Sequence, residues 1–211
     1  MGLAISTYAE LQSAIADWLD RADLGPRILE FIALAEAQLN RTLRVRRMLA
    51  RSAASLDAAY TDLPDDFLQA VALRLDGGRA LEPLPAEELA RLRARSDAPG
   101  RPRAFGVQGD ELELYPTPDR AYDATLLYYA RTPALSVASP SNWILTEHPD
   151  AYLYGALVQA APYLKDGPAL AMFNAGYEAA LEAIRAAERT AAARLQTEIG
   201  AELSRILTLG A

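Results

Sequence analysis

The stretch that organises the chain is NWILTEHPDAYLYGALVQAAPYLK, residues Asn142–Lys165. Thr146 as N-cap and Pro149 in the first turn, where a missing N–H costs nothing, predict the start of a helix. Apolar and aromatic residues then recur at steps of three and four, which gives the helix one apolar side: Tyr152, Leu153, Ala156, Leu157 and Ala160. Gly155 and the alanines keep that side thin, so we expect another helix to approach it closely.

The composition is that of a folded, acidic protein. The 211 residues fit one or two domains and can bury a real core. There are 21 basic and 28 acidic residues, a net charge of −7 and 51% hydrophobic residues. The acidic balance argues against a protein that coats nucleic acid nonspecifically, because neutralisation of phosphates supplies most of that affinity. The lack of cysteine excludes disulfides, thiolate catalysis and cysteine-ligated metals.

The sequence carries no sign of a membrane segment. No apolar run approaches the roughly 20 residues that span a bilayer. Met1–Ser6 is too short for a signal peptide. We therefore expect a protein that is made and folded in the cytoplasm and has no membrane partner.

Two helices are predicted at the start of the chain. Thr7 and Glu10 occupy the reciprocal positions of a capping box. One helical face follows, made of Leu11, Ala14, Ile15, Trp18 and Leu19. Leu24-Gly25-Pro26 ends this helix and begins the next, whose buried stripe consists of Ile28, Phe31, Ile32, Ala35 and Leu39. The two helices are expected to pair as a hairpin.

The middle of the chain has the pattern of strands. They are predicted at Met48–Leu56, Ala70–Leu75, Ala80–Leu84, Arg101–Val107, Glu111–Tyr115 and Ala124–Tyr129. Asp76-Gly77-Gly78-Arg79 is a hairpin turn between the second and third of these. Glu111–Tyr115 alternates strictly, so its acids are expected to face water and its leucines the core. Pro85–Arg95 is predicted to be a short exposed helix.

A long last helix is predicted from about Ala169, after the turn Asp166-Gly167-Pro168. Its apolar stripe begins with Leu170, Phe173, Tyr177, Leu181 and Ile184. The stripe continues through Leu195, Ile199, Leu203, Ile206 and Leu207, well beyond the length that a four-helix core of this size needs. Three interpretations stay open, since this end can pack on its own bundle, on a neighbouring subunit or on a different partner protein. Gly200 weakens the helix and is a candidate hinge.

These elements predict an α+β fold in which terminal helices form a helical bundle and a β-rich insertion lies in the middle. The expected boundaries are residues 1–47 and 142–193 for the bundle, 48–141 for the insertion with one short helix, and 194–211 for a C-terminal tail. No internal repeat is visible.

No residue pattern points to catalysis, a metal or a cofactor. The one histidine, His148, has no second histidine or cysteine as partner, and it lies at a predicted helix start where neighbouring acids suit the helix dipole. The carboxylate pairs Asp65-Asp66 and Glu87-Glu88 are adjacent, which points their side chains apart. A small enzyme centred on His148 is the weaker alternative, and we expect no catalytic residue, no metal site and no cofactor.

A local basic patch is the sharper signal. It consists of Arg41, Arg44, Arg46, Arg47 and Arg51, and no acid lies between Glu36 and Asp57. Such a patch suits contact with DNA phosphates or with an acidic surface of a partner. The structural alternative is a solvated helix end, where arginine complements the helix C-terminus.

Several segments together resemble the head–tail adaptor (connector) proteins of tailed bacteriophages, prophages and gene transfer agents. The resemblance covers about residues 5–185. It is carried by Thr7–Leu11, Ile15–Leu19, Phe31–Arg41, Leu63–Phe67, Leu84–Leu89, Glu111–Pro116, Tyr128–Arg131 and Asn142–Asp166. These are packing and turn signatures, so they identify a family better than a site.

The resemblance implies a structural virion protein at the head–tail interface. Such adaptors form a ring, commonly of twelve copies, under the portal, where they extend the DNA channel and join the capsid to the tail. The implied partners are the portal protein, a tail or stopper (head-closure) protein, other copies of the chain, and DNA passing through the channel. The C-terminal segment of related adaptors reaches the portal, which assigns docking to Leu195, Ile199, Leu203, Ile206 and Leu207. The alternative function is a DNA-binding protein that uses the Arg41–Arg51 basic patch.

Overall fold

The chain divides into two compact units. The computed structural model describes residues 5–209, and it describes side chains for residues 5–194. A helical unit is formed by the chain up to Val45 and from Thr132 onward, and a β-rich unit is formed by Arg46–Arg131. The fold is α+β, with a β-rich segment inserted into a helical bundle, as the sequence predicts.

The elements follow one another as helices, strands and helices. The α-helices are α1 (Tyr8–Leu19), α2 (Gly25–Thr42), α3 (Ala86–Arg95), α4 (Trp143–Glu147), α5 (Pro149–Leu164) and α6 (Gly167–Leu209). The strands are β1 (Leu49–Leu56), β2 (Tyr60–Asp62), β3 (Phe67–Leu75), β4 (Glu82–Pro83), β5 (Ala104–Gln108), β6 (Glu111–Tyr115) and β7 (Tyr122–Ala130). Short 3₁₀ turns occupy Ala22–Leu24 and Arg46–Met48.

Helix α5 is the centre of the helical unit. It contacts α1, α2, α4 and α6. Its predicted apolar side is buried in full, at Tyr152, Leu153, Ala156, Leu157 and Ala160. Gly155 provides the expected close approach, because a Cβ there would lie 3.1 Å from Cε2 of Tyr177 on α6 and 3.2 Å from Cβ of Ala35 on α2.

The first two helices form as the sequence predicts. Thr7 Oγ1 accepts the Glu10 N–H, and Glu10 Oε2 accepts the Thr7 N–H at 2.9 Å, which completes the capping box. The predicted stripe of α2 is buried at Ile28, Phe31, Ile32, Ala35 and Leu39. Both helices pack on α5 and on each other.

The prediction that Thr146 caps a helix is wrong. Asn142 is the N-cap of the short helix α4, where its Oδ1 accepts the Leu145 N–H at 3.0 Å. Thr146 lies inside α4, and His148 separates α4 from α5 with a non-helical φ of −139°. The break follows from Pro149, because proline keeps the preceding residue out of the helical region. Pro149 does occupy the first turn of α5, as predicted.

The β-rich unit is built from two sheets that share one core. Antiparallel β1, β7 and β3 form the first sheet in that order, and β2, β6, β5 and β4 form the second. Only β4 pairs in parallel, with β5. Both sheets contribute to the buried core: Leu56, Leu73, Leu75, Leu81, Phe105, Leu112, Leu114, Ala124, Leu126 and Tyr128.

The predicted hairpin between β3 and Ala80–Leu84 is shorter than expected. Gly77 has the positive φ of +67° that the turn requires, and the Leu81 N–H donates to the Leu73 carbonyl at 2.8 Å. The chain then leaves β3, and Glu82–Pro83 pairs with β5 instead. Pro83 and Pro85 lack the N–H groups that a longer antiparallel ladder needs.

Helix α3 is less exposed than predicted. Leu89 is completely buried, and it lies so close to Gly106 of β5 that a Cβ on Gly106 would come within 2.6 Å of its Cδ1. Because α3 packs on β5 and β6, part of the outer face of this sheet is shielded from water. The prediction that Glu113 faces water is therefore wrong, since the residue is only 3% exposed.

Candidate assembly surfaces

Among the described side chains of α6, which extend to Arg194, the buried ones end at Ile184. These inward residues are Phe173, Tyr177, Ala180, Leu181 and Ile184. Near the start of this seam the Tyr154 ring lies on Gly176, where a Cβ would come within 2.8 Å of the ring. Trp18 meets the same Tyr154 ring edge-on, with the centroids 5.6 Å apart, and stays 49% exposed. The seam between α1, α5 and α6 thus ends in aromatic surface that faces solvent.

Beyond Ile184, α6 has no buried residue among the side chains described, which extend to Arg194. The backbone remains helical to Leu209 and passes through Gly200 without interruption. The side chains of the predicted docking residues Leu195, Ile199, Leu203, Ile206 and Leu207 lie outside the described residues. Their role in docking stays a prediction.

A half-buried carboxylate fastens the connection that returns from the β-rich unit. Glu36 Oε1 accepts the Leu135 N–H at 2.6 Å and the Tyr152 hydroxyl at 3.3 Å. One helical turn further along α2, Asn40 Oδ1 accepts the Thr132 N–H at 2.9 Å. Burial raises the pKa of Glu36, and the hydrogen bonds from the Leu135 N–H and the Tyr152 hydroxyl oppose that shift.

Asn142 completes this network from the other side. Its Nδ2 donates to the Pro133 carbonyl at 2.8 Å and to the Tyr152 hydroxyl at 2.6 Å, while its Oδ1 caps α4. The Tyr8 N–H donates to the Pro140 carbonyl at 2.7 Å. The segment 132–141, which the sequence suggested as part of the insertion, is therefore hydrogen-bonded along its length to the helical unit.

The predicted basic patch is divided between the two units. Arg41 and Arg44 belong to the helical unit, whereas Arg46, Arg47 and Arg51 belong to the β-rich unit. All except Arg44 are exposed. Arg44 Nη1 donates to the carbonyls of Asn40 and Leu43, at 2.7 and 2.5 Å. These bonds satisfy carbonyls at the C-terminal end of α2, which is the alternative to a binding role that the sequence left open. Contact of the patch with DNA or an acidic partner stays a prediction.

A buried ion pair in the β-rich unit escaped sequence reasoning. Arg93 Nη2 of α3 lies 3.0 Å from Glu113 Oε1, whose side chain is only 4% exposed. Arg93 also donates to the Leu114 carbonyl and to Thr117 Oγ1. The Tyr60 hydroxyl and Gln108 Nε2 donate to the same carboxylate. These bonds join α3 to the sheet, so the pair has a structural role.

No catalytic constellation forms around the candidates from the sequence. His148 stands between α4 and α5, where its N–H donates to the Ile144 carbonyl. Within the part of the chain that the structure describes, no group of histidine or carboxylate side chains is placed to hold a metal ion. Among the described helices, none has the length and apolar character needed to cross a membrane.

Comparison with known proteins agrees with an assembly role. The family model for the SU10 adaptor protein matches residues 6–198. A search among curated proteins found no match. Because the family match spans both the helical and the β-rich unit and most of the 211 residues, the chain belongs to the SU10 adaptor protein family, whose members are phage structural proteins of the head–tail adaptor type.

Proposed function

We propose that this protein forms a ring below the portal of a phage, prophage or gene-transfer-agent particle, extends the DNA channel and joins the capsid to the tail. The partners are the portal protein, a tail or stopper (head-closure) protein and further copies of the chain, in a ring of about twelve as in related adaptors. The protein is made in the host cytoplasm and ends in the virion. The net charge of −7 suits a channel wall on which DNA slides without sticking.

The single observation that carries the proposal is the excess length of α6. The helix contains 43 residues and is therefore about 65 Å long. Its last buried side chain among those described is Ile184, and about 38 Å of helix follows this residue. An adaptor needs a reach of this kind if its bundle and its docking element contact different partners.

The described outer part of α6 has a composition that supports a helix without a core. Arg189 and Arg185 both lie within 4.0 Å of Glu182 on the exposed surface. Alanine, the best helix former, occupies Ala186, Ala187 and 191–193. Ion pairs along the helix and high intrinsic propensity stabilise a helix in the absence of tertiary contacts. We assign docking on the portal to Leu195, Ile199, Leu203, Ile206 and Leu207.

Deletion of Gly200–Ala211 tests this assignment. The truncated protein should melt within a few degrees of the parent, because no described side chain of α6 beyond Ile184 is buried, but it should fail to join heads that carry the portal. Normal attachment together with a large fall in melting temperature would overturn the proposal, since it would mean that this end packs on its own bundle.

A pair of substitutions separates surface chemistry from helix length. Leu203→Glu with Leu207→Glu should prevent attachment to the heads. Ser204→Glu with Thr208→Glu adds the same charge to the same two turns outside the predicted stripe, and it should leave attachment intact. Equal loss in both variants would assign the defect to charge alone.

A further inference from the structure

The β-rich unit has an arginine-lined pocket near one end and a cavity lined mainly by aspartates near the other. Strand β3 runs between these ends, from Phe67 to Leu75, and its nine residues span about 30 Å. Strand β5 runs in the opposite sense between them, because Arg103 precedes it at the basic end and the turn Gly109-Asp110 follows it at the acidic end. The ends are here named the basic pocket, after Arg79, Arg101 and Arg103, and the acidic loop end, after Asp62, Asp65 and Asp110.

The basic pocket is a concave site beside the β3–β4 turn. It has a volume of about 460 Å³ and is lined by Leu75, Gly77, Gly78, Arg79, Ala80, Leu81, Arg101, Pro102 and Arg103. Three guanidinium groups and no carboxylate belong to this lining. A pocket of this composition and size fits the carboxylate side chains of one protein loop.

Arg101 is held in place within the basic pocket. Its guanidinium lies against the turn, since a Cβ on Gly78 would come within 2.7 Å of Arg101 Nη2. The same guanidinium lies 5.9 Å from the centroid of the Tyr122 ring, and Arg120 lies 5.1 Å from that centroid. Two cations thus share one aromatic ring, which orders them before any anion binds.

These arginines have not been neutralised inside the unit. Among the described residues, Arg79, Arg101 and Arg103 take part in no ion pair, and all three are exposed. Acidic residues do stand on neighbouring elements, namely Asp76 in the turn and Glu82 in β4. Asp119 is also nearby and accepts the Tyr122 hydroxyl at 2.7 Å. None of these carboxylates lines the basic pocket.

The acidic loop end has the complementary chemistry. A cavity of about 530 Å³ is lined there by Asp62, Leu63, Pro64, Asp65, Phe67, Asp110 and Arg131. Three exposed aspartates therefore outnumber one arginine. Asp65 lies in a tight turn, in which the Phe67 N–H donates to the Pro64 carbonyl at 2.9 Å, and Asp62 is held by the pairing of β2 with β6 opposite Glu111.

We propose that the basic pocket of one copy receives the acidic loop end of a neighbouring copy. The contact joins two different surfaces of the same chain, so it is heterologous, and heterologous contacts generate rings when their rotation closes. The charge distribution favours a second copy over DNA, because the chain itself supplies a matching anionic surface while its net charge of −7 repels phosphate. The inference rests on the proposed function, since it names the neighbour contact that a ring requires.

Charge reversal at both ends tests the contact in the purified full-length chain. The first variant carries Arg79→Glu, Arg101→Glu and Arg103→Glu, and the second carries Asp62→Arg, Asp65→Arg and Asp110→Arg. Self-association is measured by sedimentation velocity and cross-linking at high protein concentration and about 10 mM ionic strength, where the Debye length is about 30 Å. We expect the parent to associate, each variant alone to lose association at least about tenfold, and an equimolar mixture of the two variants to regain it.

Recovery in the mixture is the decisive result, because each variant then presents the charges that the other lacks. A parent that stays monomeric under these conditions, or a mixture that stays dissociated, would overturn the proposal. So would binding of a short DNA duplex by the parent and by the second variant that the first variant loses, since that result assigns the basic pocket to nucleic acid.

Two controls keep the test informative. Arg91→Glu with Arg95→Glu reverses exposed arginines on α3, away from the basic pocket lining, and should leave association unchanged. Should the triple arginine variant lose its fold because Arg101 packs on Gly78, Arg79→Glu with Arg103→Glu replaces it. The chain lacking Gly200–Ala211 should associate like the parent, so failure of portal docking and failure of the neighbour contact are told apart.

Discussion

Burial raises the pKa of Glu36, because the helical unit removes water from one side of its carboxylate. The pKa of the Tyr8 hydroxyl is also raised, first by its own burial and second by the negative charge of Glu36. The carboxylate nevertheless accepts two hydrogen bonds, from the Leu135 N–H and the Tyr152 hydroxyl. Both bonds need only an oxygen acceptor, and an uncharged acceptor avoids the cost of the buried charge.

Glu36→Gln should therefore keep the fold, with a free energy of unfolding within about 1 kcal/mol of the parent at neutral pH. Glu36→Ala leaves two donors without an acceptor and should cost about 1–3 kcal/mol. Denaturant unfolding at pH 7 measures both. Equal losses in the two variants would show that the acceptor oxygen contributes nothing.

The pH dependence of stability in the parent and in Glu36→Gln follows from the direction of the Glu36 pKa shift. A raised pKa in the folded state means that Glu36 contributes stability below its unfolded pKa of about 4.3, and this contribution is lost as pH rises through the folded pKa. The stability of the parent relative to Glu36→Gln should thus fall with rising pH across that window. The difference between the two curves removes the opposite trends of Glu10, Asp23 and Glu182, whose pKa values are lowered by hydrogen bonds.

Breaking the ion pair between Arg93 and Glu113 should cost far more stability than breaking the exposed pair between Arg91 and Glu88 on α3. Arg93→Ala leaves a carboxylate that is 4% exposed without its cation, and we expect a loss of about 2–4 kcal/mol. Arg91→Ala breaks an exposed pair with Glu88 on the same helix and should cost less than about 1 kcal/mol. Thermal and denaturant unfolding compare the two. Adding Glu113→Gln to Arg93→Ala should recover part of the loss, and absence of recovery would contradict a charge-based cause.

Glu113 also shows the limit of reading alternation in a sequence. Glu111 and Glu113 alternate with leucines in the same way, yet Glu111 is exposed and Glu113 is buried. Alternation predicts which face of a strand a residue occupies, but not whether another element covers that face. Arg93 and Glu113 are separated by 20 residues, so their pairing depends on how α3 returns to the sheet.

At the level of single elements, Gly155 sets the distance between the helices that surround α5. Gly155→Val adds atoms where a Cβ alone would lie 3.1 Å from Tyr177 and 3.2 Å from Ala35. We expect a net loss of about 2–3 kcal/mol from overpacking, because the clash outweighs the slightly higher helix propensity of valine relative to glycine. Ala179→Val makes the same type of change on the exposed face of α6 and should cost about 0.5 kcal/mol. Similar melting temperatures for the two variants would show that α5 and its neighbours separate without cost.

Helices were more predictable than strand pairings, and the reason is local. The capping box of Thr7, the stripe of α2 and the helix-starting Pro149 depend on residues within a few positions of one another. The partner of β4 does not, because pairing with β5 joins residues about 22 positions apart and overrides the hairpin suggested by Gly77-Gly78. Thr146 was misassigned because two possible caps, Asn142 and Thr146, lie one turn apart.

At the scale of the whole molecule, the candidate surfaces also differ in whether their residues are close together in the sequence. The docking stripe and the Arg41–Arg51 patch are runs in the sequence, so the sequence could propose them, and both stay predictions. The basic pocket joins Arg79 to Arg101 and Arg103, and the acidic loop end joins Asp62 and Asp65 to Asp110. Neither is visible without the fold, because the turns of the β-rich unit bring these separate positions together.

The isolated protein should be a monomer or a weak oligomer at micromolar concentration and physiological salt. The exposed large apolar residues that the structure describes are Trp18, Leu29, Leu34, Val137, Tyr163 and Met172 in the helical unit and Leu49, Tyr60, Val71 and Val107 in the β-rich unit. Stable homo-oligomers need a larger contiguous apolar surface. Ion pairs between exposed ends contribute little each and are screened at physiological salt. Binding of α6 to a portal raises the local concentration of neighbours into the millimolar range, where weak contacts suffice. Light scattering should give the mass of about one chain without portal, and a stable dodecamer under these conditions would contradict a ring that depends on the portal.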